Sequence, residues 1–249
     1  MFDTRAIKES FGRAAPDYDA EAHVQRQVRG HCLTLAGKYW PRGAHILDAG
    51  SGTGALSQET NWRVTGLDIS FGMCAFAREK VVNADAASMP FSDARFDGVF
   101  SSLMLQWAND PQAVWREMAR VLKPQGRVIL STLVAGTLHE LREAFSSLDA
   151  TPHVSHFLKV HDVLGCAAEA GLSMIAAEQV RIVEYYPDAI ALMRSLQAIG
   201  ASHKEAERRK GLMTLKQLAR VEQAYEKRFG GAKGLPATWQ VLCLVMQKA

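Results

Sequence analysis

The feature that most constrains the fold is a regular alternation of short apolar strands with helices between residues 44 and 133. Segments such as AHILDAG, RVTGLDIS and GRVILSTL have the apolar character of buried strands, and segments with helical spacing separate them. Strands that alternate with helices form βαβ units, whose parallel sheet is covered by helices on both faces. The sequence therefore predicts an α/β fold.

Further elements are predicted on both sides of this alternation. The pattern predicts helices over 4–14, 20–39, 138–148, 159–170, 187–200 and 214–229, and strands near 174–185 and 238–248. We expect an N-terminal helical cap (1–40) and an α/β domain (41–249), with a helical insertion at about 187–233 between the last two strands. Because ligands of open α/β sheets bind at the carboxyl ends of the strands, these helices are placed to cover a ligand.

Composition excludes several classes of protein. The 249 residues are 48% hydrophobic and 22% charged, which is ordinary for a globular chain. No apolar run approaches the roughly 20 residues of a membrane span, and residues 1–19 have no apolar core, so we expect a cytoplasmic protein. The four cysteines are far apart, which predicts reduced thiols and no metal site.

Charge is unevenly distributed along the chain. Residues 194–233 contain ten Lys or Arg against four Asp or Glu, although the net charge of the whole chain is only +3. Such a patch is typical either of a solvated helix face or of a surface that attracts an anionic partner. General nucleic-acid binding is not indicated, because the rest of the chain is slightly acidic.

Three glycines follow the first predicted strand in the segment ILDAGSGTGALS. Gly50, Gly52 and Gly54 allow positive φ angles and close approach of a ligand to the backbone at a strand-to-helix turn. A dinucleotide fingerprint is G-x-G-x-x-G, whereas this turn is G-S-G-T-G followed by alanine. Asp48, just before the turn, is placed either to reach the ligand or to fix the loop. The turn therefore predicts a nucleotide-type ligand other than a dinucleotide.

Acidic residues follow the next two predicted strands. Asp68, 18 residues after Gly50, is placed to accept hydrogen bonds from ribose hydroxyls, although it also fits a cap of the next helix. Asp85 is placed to accept from an exocyclic amine, with the backbone of Ala86 near a ring nitrogen. Met73 and Met89 are placed either against the ring faces or in the core.

The chain resembles the class I S-adenosylmethionine-dependent methyltransferases. The motifs that carry the resemblance are LDAGSGTG (47–54), GLDIS (66–70), NADAASMPF (83–91), FDGVFSSLMLQW (96–107) and RVLKPQGRVILST (120–132). The resemblance implies a Rossmann-like, seven-stranded sheet with helices on both faces and a helical lid. It implies S-adenosyl-L-methionine as the cofactor, held by Tyr18, Gln25, Asp48, Gly50, Ser51, Gly52, Gly54, Asp68, Ile69, Met73, Asp85, Ala86, Ser101 and Leu103.

The flanking segments are similar to the malonyl-[acyl-carrier protein] O-methyltransferases of biotin synthesis. These segments are FGRAAPDYDAEAHVQRQV, LMLQWANDPQAVWREMARVLKP, STLVAGTLHELREAF and MRSLQAIGA. The similarity implies methylation of the free carboxyl of a malonyl thioester, carried by acyl carrier protein or by coenzyme A. It also implies that Tyr18 and Arg194 position the acceptor, although a packed aromatic and an ordinary surface arginine are the alternatives.

The resemblance places further residues near the acceptor and its carrier. Gln106 and Trp107 follow the fourth strand, where the acceptor would lie, although Trp107 also fits the core. Lys204, Arg208 and Arg209 lie in the basic stretch, which would attract an acidic carrier protein. A carboxylate acceptor is already ionised at pH 7, so no general base is expected.

Three other functions compete with this prediction. One is a methyltransferase of the same fold that acts on a free small molecule, such as a quinone precursor, a polyketide or a small carboxylic acid. Another is a binding module that holds the cofactor without catalysis. The third, an NAD-dependent oxidoreductase, is disfavoured by the spacing of the third glycine.

Overall fold

The computed structural model describes residues 1–77, 80–149, 151–202 and 213–249, which form ten α-helices and seven strands. The helices are α1 (Thr4–Ala14), α2 (Tyr18–Glu21), α3 (His23–Ala36), α4 (Ala55–Glu59), α5 (Phe71–Cys74), α6 (Pro111–Val121), α7 (His139–Ser146), α8 (Val160–Glu169), α9 (Ala189–Ala198) and α10 (Leu215–Phe229). The strands are β1 (His45–Ala49), β2 (Arg63–Asp68), β3 (Val81–Asn83), β4 (Phe96–Ser102), β5 (Leu122–Leu133), β6 (Leu172–Tyr186) and β7 (Leu235–Lys248).

The strands form one seven-stranded sheet in the order β3-β2-β1-β4-β5-β7-β6. β1 pairs in parallel with β2 and β4, whereas β7 is antiparallel to both of its neighbours. The predicted α/β sheet with seven strands is therefore confirmed. Because the strand order reverses between β1 and β4, a crevice opens at their carboxyl ends, where ligands of such sheets bind.

Two hydrophobic cores cover the two faces of this sheet. Consecutive strand residues point to opposite faces, so Ile46 packs into one core and Leu47 into the other, and the same holds for Ile129 and Leu130. The first core includes side chains of α3, α7, α9 and α10, and the second includes those of α6 and α8. Both cores hold the strand ends of the crevice rigidly in place.

The N-terminal segment departs from the predicted helix over 20–39. The structure forms two helices there, α2 and α3, which meet at Ala22, where ψ is +56°. The guanidinium group of Arg26 donates to the carbonyl oxygens of Asp19 and Ala20, so it satisfies acceptors that a continuous helix would have used internally. The break leaves α2 as a separate short helix with Tyr18 as its first residue.

The helix after β2, α5, is only four residues long and ends at Cys74. All four cysteines are free thiols. Among the described residues, no helix has both the length and the hydropathy to cross a membrane.

Gly98, at the amino end of the sheet, allows a direct test of the packing in the core. A Cβ atom at Gly98 would lie 2.4 Å from the ring of Trp40, which is buried and packs against Trp62 and Phe100. We expect Gly98→Ala to lower the free energy of unfolding by about 1–3 kcal/mol, as overpacking of a rigid core does. Urea denaturation measures this change.

Gly165→Ala is the matched control, because it lies in α8 and its added Cβ would meet no described heavy atom within 4 Å. It should leave stability unchanged or raise it by about 0.5–1 kcal/mol. Equal stability of the two variants would contradict the packing around Trp40.

Candidate active site

The glycine turn after β1 has a backbone that favours glycine. The φ angles are +83° at Gly50, +55° at Gly52 and +82° at Gly54. The carbonyl oxygen of Leu67 accepts hydrogen bonds from the N–H groups of Gly50 (2.7 Å) and Ser51 (3.1 Å), which fasten the turn to the end of β2. The turn is therefore held open towards the crevice.

Asp68 is fixed beside this turn by two backbone donors. Its Oδ2 accepts from the N–H of Gly52 (2.9 Å) and its Oδ1 accepts from the N–H of Ser70 (2.8 Å). Burial raises the pKa of the Asp68 carboxyl, and the two backbone hydrogen bonds oppose this shift. A carboxylate accepts about four hydrogen bonds, so it retains capacity for the two hydroxyls of a ribose.

The alternative in which Asp68 caps the following helix is wrong. The N-cap of α5 is Ser70, whose Oγ accepts from the N–H of Met73. The same Oγ donates to the carbonyl of Lys8 in α1 (2.9 Å), so Ser70 also links α5 to α1. The Asp68 side chain is thus directed to the turn and the crevice rather than to the helix end.

Two adjoining cavities fill the crevice. The larger, about 240 Å³, is lined by residues that include Asp68, Ile69, Asp85 and Ala86. Asp85 is exposed at the end of β3, and its Oδ1 accepts from the N–H of Ala87 (2.9 Å). This hydrogen bond orients the carboxylate at the cavity wall.

The smaller cavity, about 80 Å³, lies on the side of the glycine turn. Among the predicted site residues, Tyr18, Gly52, Met73 and Leu103 line this cavity and not the larger one. Both cavities share Gly50, Asp68 and Ile69, so they form one continuous site. Met89, in contrast, is buried in the core and lines neither cavity.

Tyr18 of α2 lines the smaller cavity. Burial, with the nearby negative charge of Asp68, raises the pKa of the Tyr18 hydroxyl well above its usual range, while Arg29 acts in the opposite direction. The hydroxyl is therefore protonated at neutral pH and is a donor beside the Asp68 carboxylate. The adjacent Asp19 accepts a hydrogen bond from Thr53 Oγ1 (2.8 Å), which ties α2 to the glycine turn.

Several residues that line the cavities were not predicted from the sequence. Ile7 and Phe11 of α1 and Met104 after β4 line the cavities. The i, i+4 spacing of Ile7 and Phe11 indicated an apolar helix face, but not the surface that this face covers. Met104 explains why Gly50 has no side chain, because a Cβ there would lie 2.5 Å from Met104 Cβ.

Other predicted cofactor contacts lie around the cavities. Asp48 and Ser51 are buried, and Ser101 Oγ donates to the carbonyl of Ala49 (2.8 Å), which supports the strand before the turn. Gln25 is half-buried on α3 and does not line either cavity.

The predicted acceptor and carrier residues are more dispersed. Arg194 is exposed on α9, a helix that packs beside α2. Lys204, Arg208 and Arg209 lie outside the described residues. Within the described part of the chain, no cluster of three or more His, Cys, Asp or Glu side chains is arranged to hold a metal ion.

Gln106 and Trp107 lie where β4 ends. The side-chain amide of Gln106 donates to the carbonyl of Leu103 (2.7 Å) and accepts from Thr132 Oγ1 (3.1 Å). It therefore joins the ends of β4 and β5 and holds Leu103 at its positive φ of 55°. Gln106 and Thr132 also line a third cavity of about 330 Å³.

Trp107 lines both crevice cavities, which form the predicted cofactor side of the site. Its ring packs against Phe2 (5.7 Å between centroids) and edge-on against Phe11 (5.4 Å). The N-terminal segment is held there by Asn109, whose Oδ1 accepts a hydrogen bond from the N–H of Phe2 (2.7 Å). The third cavity shares Ala108 and Asn109 with the larger cofactor-side cavity, so the two are neighbours.

Comparison with known proteins agrees with this geometry. A family model described as "Methyltransferase domain" matches residues 47–130. Among solved structures, the YcgJ protein of Bacillus subtilis superposes with a TM-score of 0.60 at 17% identity, covering 88% of this chain and 98% of that one. The [4+2]-cyclase SpnF superposes with a TM-score of 0.55 at 22% identity, covering 86% of this chain and 79% of that one. These two likenesses concern the fold alone.

Relatives identified by sequence similarity include proteins whose names specify the methyl acceptor, which the family model and these two solved structures do not. The malonyl-[acyl-carrier protein] O-methyltransferase of Serratia marcescens is 39% identical over 91% of this chain and 90% of its own length. The protein of the same name from Laribacter hongkongensis is 36% identical over 96% of this chain and 88% of its own length. The biotin biosynthesis bifunctional protein BioHC of Teredinibacter turnerae is 36% identical over 98% of this chain, which spans only 47% of that protein. The chain belongs to the family of malonyl-[acyl-carrier protein] O-methyltransferases.

Proposed function

We propose that the chain transfers the methyl group of S-adenosylmethionine to the free carboxyl of a malonyl thioester carried by acyl carrier protein, a step of biotin synthesis. The observation that carries this proposal is that residues suited to a nucleoside line one cavity in a chain with this family relationship. Gly50, Asp68 and Asp85 converge on one cavity, and relatives that align with nearly the whole chain bear the name of this activity.

The residues of the crevice fit the cofactor. The Oγ of Ser51 is buried without a hydrogen-bond partner among the described residues, and it lies in the turn that would hold the methionine end. A Cβ at Gly52 would meet no described heavy atom within 4 Å, so open space lies in front of this backbone. Asp68 would hold the ribose, and Asp85 with Ala86 would hold the adenine.

S-adenosylmethionine, when bound, supplies an electrophilic methyl group on its sulfonium sulfur. A carboxylate nucleophile is ionised at neutral pH, so no residue of this site has to remove a proton. The contribution of the chain is alignment and exclusion of water. The ring cluster of Phe2, Phe11 and Trp107 covers the crevice for this purpose, and Tyr18 closes its other side.

The third cavity is the proposed site of the acceptor. It lies at the carboxyl ends of β4 and β5, beside the cofactor-side cavities. Apolar side chains such as Leu133 and Phe157 suit the slender arm of a thioester, and Gln106 supplies a polar group held in a fixed position. Ala108 and Asn109 line both this cavity and the larger cofactor-side cavity, so the path of the carboxylate to the cofactor would pass them.

Arg194, on α9, is proposed to position the acceptor. We expect Arg194→Gln to raise the KM for malonyl-carrier protein about tenfold, the loss of one charge-assisted hydrogen bond, without changing the Kd for the cofactor. Steady-state kinetics and calorimetry measure the two quantities. Arg42→Gln, an exposed arginine at the amino end of β1, is the matched control. An unchanged KM would remove Arg194 from the proposed site.

The basic stretch 194–233 is proposed to attract the acidic carrier over long range. Reversing the charges of Lys204, Arg208 and Arg209 should then lower activity on malonyl-carrier protein and weaken its dependence on salt.

A comparison of acceptors tests the proposed function. Transfer of labelled methyl from S-adenosylmethionine is measured with malonyl-carrier protein, malonyl-coenzyme A and free small acids at equal concentration. The proposal predicts the highest kcat/KM for malonyl-carrier protein. A preference for a free small acid would assign the chain to small-molecule methylation, and cofactor binding without any product would indicate a binding module.

A further inference from the structure

An open groove between α1 and α5 lies outside the site described above. It has a volume of about 420 Å³ and is lined by Lys8, Gly12 and Arg13 of α1 and by Phe71 and Gly72 of α5, among others. The two helices touch along their backbones, since a Cβ at Gly72 would lie 2.5 Å from the Cα of Gly12. Their close contact makes a fixed floor from which the longer side chains project.

The groove combines an exposed aromatic ring with positive charge. Phe71 is 74% exposed, an unusual position for a phenylalanine with packed helices beside it. Lys8 and Arg13 flank the groove, and the Arg13 side chain is 74% exposed. The acid beside them, Glu9, is paired with Arg5 at 2.8 Å and also lies 4.0 Å from Arg13, so the positive charges of this surface outnumber its one carboxylate. An exposed ring within a positive surface fits a protein partner that is acidic and has an apolar contact of its own.

The groove also adjoins the cofactor site. Ile69 lines the groove and both cofactor-side cavities. Asn83, another lining residue, donates to the carbonyl of Asp68 (2.9 Å). A protein bound in the groove would therefore rest against the residues that hold the cofactor, and it would contact α1, which covers the crevice.

We propose that the groove between α1 and α5 is the docking surface for the acidic carrier protein, with Phe71 as the apolar contact and Lys8 and Arg13 as the charged ones. This inference rests on the proposed function, because that function supplies the carrier. The basic stretch 194–233 then attracts the carrier from a distance, and the groove holds it in place.

The test compares two acceptors that differ only in the carrier. Malonyl-carrier protein and malonyl-coenzyme A present the same acyl group, but only the first has a protein surface. The double variant Lys8→Glu/Arg13→Glu and the single variant Phe71→Ser should each raise the KM for malonyl-carrier protein by about tenfold. Both should leave the KM for malonyl-coenzyme A and the Kd for S-adenosylmethionine unchanged.

The matched control is Lys38→Glu/Arg42→Glu, which makes the same change of charge at exposed positions between α3 and β1. It should retain the wild-type KM for both acceptors. A groove variant with the wild-type KM for malonyl-carrier protein would overturn the docking surface, and so would an equal rise for both acceptors. Thermal unfolding of each variant establishes that the fold is retained.

Binding separates this inference from the proposed function. Fluorescence anisotropy of labelled malonyl-carrier protein measures docking without turnover. If the wild-type chain methylates neither thioester, the proposed function fails, and weaker carrier binding by the groove variants would still support the docking surface. If the wild-type chain methylates malonyl-carrier protein but the groove variants bind it normally, the docking surface alone fails.

Discussion

Asp68→Asn is expected to weaken the binding of S-adenosylmethionine by roughly 100-fold. The carboxylate is proposed to accept two ribose hydroxyls, and hydrogen bonds to a charged group contribute about 1.5–3 kcal/mol each, so a loss of about 3 kcal/mol is the lower estimate. Asparagine also turns an N–H group towards one of two backbone donors, Gly52 or Ser70, which now face Asp68. Isothermal titration calorimetry measures the change in Kd.

The pH dependence of binding is a second readout of Asp68. Burial raises the pKa of this carboxyl, and only its ionised form accepts both hydroxyls. Cofactor affinity should therefore be present above the raised pKa and decline as the pH falls through it, beginning above the range of an ordinary aspartate. Asp68→Asn should abolish this dependence.

Asp97→Asn is the control, since Asp97 pairs with Lys123 at the opposite end of the sheet. It should leave cofactor affinity unchanged. An Asp68→Asn variant with wild-type affinity would contradict the assignment of the ribose.

Gly50→Ala and Gly52→Ala are expected to fail in different ways. Alanine at Gly50 requires a φ of +83° and places its Cβ 2.5 Å from Met104, so we expect the free energy of unfolding to fall by about 2–4 kcal/mol. Alanine at Gly52 has the positive φ without the contact, which costs only about 1–2 kcal/mol. Urea denaturation in the absence of cofactor measures both values.

Cofactor binding by the folded protein is the second readout of Gly52→Ala. Gly52→Ala places a methyl group in the open space where the cofactor is proposed to lie, so its Kd should rise at least about tenfold although it loses less stability than Gly50→Ala. Wild-type affinity in Gly52→Ala would contradict the placement of the cofactor against this backbone. Gly165→Ala, in α8, serves again as the control for both measurements.

The strands and the polar residues at their ends could be predicted from the sequence because both depend on short stretches of chain. The alternation of elements predicts the sheet, and Asp68 and Asp85 follow from their positions after β2 and β3. Their close approach to one cavity is then a consequence of parallel strands, whose carboxyl ends share one edge.

The cover of the site could not be predicted, because it depends on contacts between distant segments. Phe2 and Phe11 meet Trp107 about 100 residues further along the chain, and no local pattern specifies that pairing. The break between α2 and α3 likewise depends on one side chain, Arg26, which binds carbonyl groups of the preceding turn. Arg194 was assigned by resemblance, and its exposed position on α9 leaves its role a prediction.

The mass of the pantetheine arm after reaction tests the central claim most directly. Malonyl-carrier protein is incubated with the wild-type chain and S-adenosylmethionine. The pantetheine arm is then released, and its mass is measured by tandem mass spectrometry. We expect the malonyl arm to gain one CH2 unit, as a methyl ester of its free carboxyl, and we expect Asp68→Asn to slow this gain greatly. An unchanged arm, in a reaction where the same chain binds the cofactor and methylates a free small acid, would contradict the account.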